Sequence, residues 1–455
     1  MTSPSTVSFP LAEPAATAAP RKAVLPVVGF GLLSAAAALV SPAAPTDLKG
    51  LDTGDTAWML TASALVLLMT PGLSFFYGGM VRPKNVISTM LQSFIAMSLV
   101  SLVWVVVGFS LAFGDSIGGV VGDPTTFFLL RGVGGAPNAD LAPTFPLALF
   151  ALFQLKFAII TPALITGSFA ERVRFSSYIL FIILFSVLIY CPLAHMTWHP
   201  KGLLRVWGVL DFAGGTVVHM SAGLAALVGA WVLGPRKDHA PGQTHAPANV
   251  PYVLLGTGML WFGWFGFNAG SALSAGGLAV QAFLTTNTAS AAAMFAWLLA
   301  DVARGARPSA MGACIGAVVG LVAITPAAGF VSVGSSIAIG ALAAIISNLA
   351  VQWRAKSGLD DTLDVFPCHG VGGIVGMIAT GLLASKEVNP AGADGLLHGG
   401  TALFSTHMMA LALVVAFVVV MSWVLYKVVG VILPLRVRDE EEQLGLDLSQ
   451  HAEQL

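Results

Sequence analysis

From about residue 56 to residue 430 the chain repeats one pattern: apolar runs of helical length, broken by short polar links that hold most of its Arg, Lys and Asp. Crossing roughly 30 Å of hydrocarbon at about 1.5 Å per residue takes about 20 mostly apolar residues. Eleven segments meet that requirement, at 56–79, 86–113, 145–170, 177–197, 211–234, 250–270, 278–300, 310–326, 333–353, 364–384 and 402–430. The pattern therefore predicts an all-α membrane protein of eleven transmembrane helices. Eleven divides into two sets of five plus one extra C-terminal helix, and an odd number per set turns the second copy upside down, which predicts an inverted repeat with a pathway where the halves meet.

Lys and Arg fix the orientation. With an external start, twelve fall on links predicted inside or on the tail, against five on the outer side. The N-terminus is expected outside and the C-terminus in the cytoplasm, in the inner (plasma) membrane. Residues 1–45 read as an N-terminal segment with a signal peptide: Arg21 and Lys22 precede the apolar run Ala23–Val40, and small residues follow, with cleavage expected near Ala43. Residues 55–430 form the transmembrane domain and 431–455 a polar, acidic tail.

Composition agrees, since 56% of the 455 residues are hydrophobic and 9% charged, a balance that a water-facing surface does not sustain. A net charge of -1 gives no overall basic field to attract nucleic acid. Cys191, Cys314 and Cys368 lie in apolar segments without metal-ligand spacing and read as core residues. Gly312, Gly316 and Gly320, and Gly372 and Gly376, have the small-residue spacing that lets helices approach closely in lipid.

Against this background, ionisable residues inside spans stand out, because hydrocarbon makes them costly. The fifth span opens with Asp211 and carries His219, and the tenth carries Asp364 and His369. "VVHMSAGLAALVGA" and "FPCHGVGGIVGMIA" echo one another, with Gly223 and Gly373 at the same offset from the histidine. In opposed halves the two histidines approach the interior from opposite sides. Asp211 and His219, eight residues apart, are separated by about 12 Å of rise and cannot bond directly. Asp211 suits a helix cap and also an acid that attracts cations to an outer mouth.

The histidine pair admits three readings: interhelical hydrogen bonding, haem ligation and lining of a conduit. Zinc hydrolysis lacks the H-E-x-x-H spacing, and no cofactor signature is present. Phe153, Trp198, Phe267 and Ser271 supply aromatic faces and a hydroxyl of the kind that holds a small onium ion.

"FYGGMVRPKN", "FAERVRFS", "LDFAGGTVVH", "GWFGFNAGS" and "DVFPCHGVGG", in that order, resemble the successive signatures of the ammonium transporter (Amt/Rh) superfamily. The resemblance runs from about residue 55 into the tail. It implies a homotrimer in membrane lipid, each subunit with its own pore for ammonium or ammonia and no cofactor. By motif, Phe153, Trp198 and Ser271 match the family's outer ammonium site, Phe153 and Phe267 its stacked gate, His219 and His369 its pore histidines, and Asp211 its entrance acid. It also implies a PII-type regulatory protein as a cytoplasmic partner. Lys156 departs from the small residues expected at its position; it can snorkel, meet another helix, or place a charge near the mouth. An ammonium sensor with little flux is the alternative function, and the absence of an appended signalling domain counts against it.

Overall fold

Long apolar runs become helices because every backbone polar group must be satisfied within the segment when no water is present. The computed structural model describes residues 28–32, 34–35, 47–242 and 245–455. The chain divides into two units, 1–43 and 44–455; in the first, 28–32 and 34–35 are helical. Most of the segment read as a signal peptide lies outside the described residues.

In the second unit the helices run, in chain order, α1 (Thr53–Met80), α2 (Pro83–Phe113), α3 (Leu147–Ile165), α4 (Phe175–Val206), α5 (Gly215–Leu233), α6 (Val250–Gly270), α7 (Gly277–Ala303), α8 (Ala310–Ile324), α9 (Val333–Lys356), α10 (Phe366–Leu383) and α11 (Thr401–Ile432). Ten of these are long and apolar enough to cross a membrane; α8, with 15 residues, is shorter than a full span. The protein is thus an all-α, multi-pass membrane protein with about ten spans. Of the eleven expected segments, the one at 310–326 is represented by a helix about one turn short, because Pro326, which has no N–H to donate, follows and the chain continues in turns from Thr325. A two-stranded ribbon, β1 (Ser116–Ile117) with β2 (Val121–Gly122), interrupts the link after α2.

α3 and α5 are the most buried spans, while α2 and α11 are among the least buried. Gly256 on α6 sits against the α1 backbone, where a β-carbon would lie 2.6 Å from the Gly72 carbonyl oxygen.

The links gather on two faces. On one, Leu203 N–H donates to the Gly119 carbonyl and Phe212 N–H to the Pro326 carbonyl. On the other, buried charges tie several links together: Arg236 pairs with Glu171 and Asp360, both at 2.8 Å, and Arg82 bridges Glu171 and Asp238. Burial alone would raise the Asp360 carboxyl, but Arg172 and Arg236 hold it down at about 2. The tail returns to this face as α12 (Asp439–Leu444) and α13 (Leu446–His451). There Asp447 accepts from the N–H groups of Ile87 and Ser88 at the start of α2, at 3.0 and 2.7 Å, where the helix dipole favours an anion. Lys237 N–H donates to Glu442 at 2.8 Å. The acidic tail is therefore packed against the protein, where composition alone reads as a solvated end.

Candidate functional site

α5 and α10 both begin with a π-helical turn, Gly215–Met220 and Phe366–Val371, and each turn carries one of the histidines. Such turns are rare and concentrate at functional sites. An acid caps each. Asp211 accepts from Gly214 N, Gly215 N, Thr216 N and Thr216 Oγ1 at 2.5 to 2.8 Å. The counterpart in the second half is Asp361, which is fully buried and accepts from Phe366 N at 2.7 Å. Asp364, singled out from the sequence, instead pairs with Arg354 at 2.7 Å. The signal that finds Asp361 is spacing: each capping acid stands eight residues before its histidine.

The two turns cross without intervening side chains. A β-carbon on Gly223 would fall 2.1 Å from Gly370 N, and one on Gly373 would lie 3.2 Å from the His219 β-carbon. The contacts are reciprocal, as an inverted pair of helices requires. Close approach brings His219 Nδ1 to 3.4 Å from His369 Nδ1, with ring centroids 5.5 Å apart. One imidazole must carry hydrogen at Nδ1 and the other must not, which leaves one Nε2 as a donor and the other as an acceptor. His219 Nε2 is buried and has no partner among the described residues. Direct contact between the rings leaves no room for a macrocycle between them, which removes the haem reading.

Trp264 stacks on His219 at 5.3 Å and donates its own N–H to Thr325 Oγ1 at 2.9 Å. The histidines face a narrow lumen walled by Leu73, Ile160, Val218 and Val318. Space for the centre of a water-sized molecule amounts to about 10 Å³ there, roughly the room of one water.

Above the lumen, Phe157 stacks on Phe267 with centroids 4.2 Å apart and closes the path. This corrects the expectation that Phe153 forms the stack. Phe153 lies one turn earlier on α3, fully buried, and meets Phe157 edge-on at 4.9 Å; it packs where a β-carbon on Gly270 would come within 2.8 Å of its ring. The four-residue step puts both rings on one helix face, so the sequence had the right face and the wrong turn.

Beyond the Phe pair opens a vestibule of about 510 Å³, whose lining includes Gln154, Phe157, Trp198, Asp211 and Ser271. The expected Trp198, Asp211 and Ser271 thus share one chamber, without Phe153. Trp198 meets Phe157 edge-on at 5.8 Å and donates to the Asp211 carbonyl at 3.1 Å. Ser271 Oγ donates to the Phe267 carbonyl at 2.8 Å, leaving its lone pairs free to accept. Gln154, which none of the sequence motifs singles out, joins them; its Oε1 is buried with no partner among the described residues. Lys156 is buried, makes no ion pair among the described residues and does not line the vestibule.

At the opposite end a second opening of about 320 Å³ is lined by Arg82, Glu171, Arg236, Arg354 and Asp364. Burial pushes the Asp364 carboxyl up to about 6 although Arg354 opposes the shift. The arrangement is a charged opening, an apolar constriction with two imidazoles, a stacked ring pair and an aromatic chamber.

The model of the Ammonium Transporter Family matches residues 57–455. Over 403 residues the chain is 48% identical to the ammonium transporter of Bacillus subtilis, across 88% of this chain and 98% of that one. The crystal structure of Candida albicans Mep2 resembles it with a TM-score of 0.82 at 36% identity, covering 90% of this chain and 92% of that one. A solved structure described as a sensor Amt protein gives 0.78 at 30% identity, covering 88% and 98%.

Proposed function

The chain belongs to the ammonium transporter family, and from that premise we propose that it recruits NH4+ at the Trp198 mouth, takes off one proton and conducts NH3 past His219 and His369. Carrying a charge to the centre of a bilayer costs at least about 2.5 kcal/mol on insertion scales. Ammonium sheds that cost with its proton, which K+ cannot do. The aromatic faces of Phe157 and Trp198, with the Ser271 hydroxyl, suit a cation at the mouth. A dry lumen favours the neutral base. Ammonia carries one lone pair and three N–H bonds, and the histidine pair presents one donor and one acceptor to match. Asp211 acts here through its capping bonds, which fix the loop that carries the Trp198 contact.

The observation that carries this reading is the lumen itself, with room for about one water beside two touching imidazoles. In the same reading the Trp198 mouth faces outward and the tail face lies in the cytoplasm, in the plasma membrane. The resemblance extends the proposal to a homotrimer and to a PII-type protein at the tail face. Phe153 keeps a role behind Phe157 as its packing support.

The test is an ammonium gradient across vesicles holding the reconstituted protein. Wild type is expected to give ammonium-driven currents or pH changes that exclude K+. A His219→Ala/His369→Ala double variant and Asp211→Ala should lose rate or selectivity. Unchanged rate and selectivity in both, with folding confirmed, overturns the site assignment. Binding of ammonium without flux in wild type favours the sensor alternative, in keeping with the likeness to the sensor Amt protein.

A further inference from the structure

The vestibule is far larger than its supposed cargo. At about 510 Å³ it falls in the range of small-molecule pockets, whereas a water-sized particle takes about 30 Å³ of liquid. Its walls hold two pairs of aromatic rings. Phe157 and Trp198 form one, in T-shaped contact at 5.8 Å, and Phe212 and Phe330 the other, also T-shaped, at 5.5 Å. Leu210, Leu273 and Ala391 add apolar surface to the same lining. Asp140 and Asp211 contribute carboxylates and Arg205 one exposed guanidinium, so the lining carries a net negative charge. The Asp140 side chain has no protein partner among the described residues and stands exposed in the link before α3.

We propose that this chamber is an aromatic cage for bulky quaternary ammonium ions, which occupy the mouth and block ammonium without passing. The inference rests on the outer mouth being the ammonium entrance. Methyl groups of a quaternary ion spread its charge over a surface that suits ring faces and aliphatic walls, and such ions are the ligands aromatic cages hold best. A small NH4+ touches part of this lining, while the methyl groups of a quaternary cation offer more surface to the ring faces and aliphatic walls that the chamber supplies. Passage is closed to it for two reasons. Phe157 and Phe267 are stacked beneath it at 4.2 Å above a lumen with space for one water. A quaternary nitrogen has no proton to give up, so it cannot enter a dry conduit as a neutral base.

The experiment adds choline to the vesicle assay and compares it with 3,3-dimethyl-1-butanol, which has the same shape without the charge. Choline is expected to raise the half-saturating ammonium concentration without lowering the maximal signal and to carry no current of its own. The neutral analogue should act at least about tenfold more weakly. Asp140→Asn should weaken the choline effect. No effect of choline at concentrations that saturate with ammonium, equal potency of the neutral analogue, or inhibition of the maximal signal alone each overturns the cage. Calorimetric titration of the purified full-length protein with choline, wild type against Trp198→Leu, tests the cage separately from flux. A protein that gives no ammonium signal yet binds choline only with Trp198 intact refutes the transport reading and keeps the cage; absence of choline binding refutes the cage alone.

Discussion

Replacing Gly223 by alanine tests whether the meeting of the two histidines depends on bare backbone. The added methyl would stand 2.1 Å from Gly370 N, 2.3 Å from Gly370 Cα and 2.9 Å from the His369 carbonyl carbon. Non-bonded carbons settle at about 3.5–4.0 Å, so α5 and α10 must part by more than about 1 Å. All three obstacles are main-chain atoms, so no side chain can rotate away. Alanine gains up to about 1 kcal/mol in helix propensity, whereas overpacking costs about 1–3 kcal/mol. The strain should win, because separation also loosens contacts along both helices, and the expected net loss is about 1–2 kcal/mol. The same displacement takes the imidazoles from their 3.4 Å contact to beyond hydrogen-bonding range. Thermal unfolding in detergent and ammonium flux in vesicles measure the two effects. Gly258→Ala is the control: among the described residues nothing lies within 4 Å of a new β-carbon, and the change should be neutral or slightly stabilising. If Gly223→Ala matches wild type in unfolding temperature, rate and K+ exclusion, the close crossing is not what positions the histidines.

The two phenylalanines on α3 should separate gating from packing. Phe157→Ala removes one ring of the stack and is expected to admit water and relax discrimination against K+ in vesicle assays, whereas Phe153→Ala, fully buried, should chiefly destabilise by about 3–5 kcal/mol. On the tail face, the Asp360 carboxyl is held at about 2, below the ordinary carboxylate value of 3.8, so its share of stability is present above that value and lost as pH falls toward about 2. The corresponding contribution is about 2 kcal/mol. Asp360→Asn should therefore lower the unfolding temperature near pH 7 and lose its penalty progressively toward pH 2, as a pH series of melts would record.

Much of the architecture was legible because a bilayer imposes one rule everywhere: a stretch without charges and of sufficient length must be helical. That rule located the apolar spans and made Asp211, His219 and His369 conspicuous. At 310–326 it located the helix but not its end, which comes at Ile324 ahead of Pro326. It also misread the tail, since the carboxylates of Glu442 and Asp447 are buried against Lys237, Arg436 and the start of α2. Apart from Arg436, six residues before Glu442, their partners lie hundreds of residues away, which composition does not register.

What the sequence by itself determined is which residues are out of place in hydrocarbon, because that follows from the solvation of each side chain one at a time. Which of them meet was decided only by the tertiary structure. The π-helical turns advance the two histidines to a shared contact, Phe157 rather than Phe153 reaches Phe267, and Asp361 rather than Asp364 caps the second histidine helix. Each of these choices is a matter of one helical turn or less. A shift of that size leaves hydrophobicity and charge unchanged along the chain, and becomes visible only when backbones pack closely enough for a single methyl group to matter.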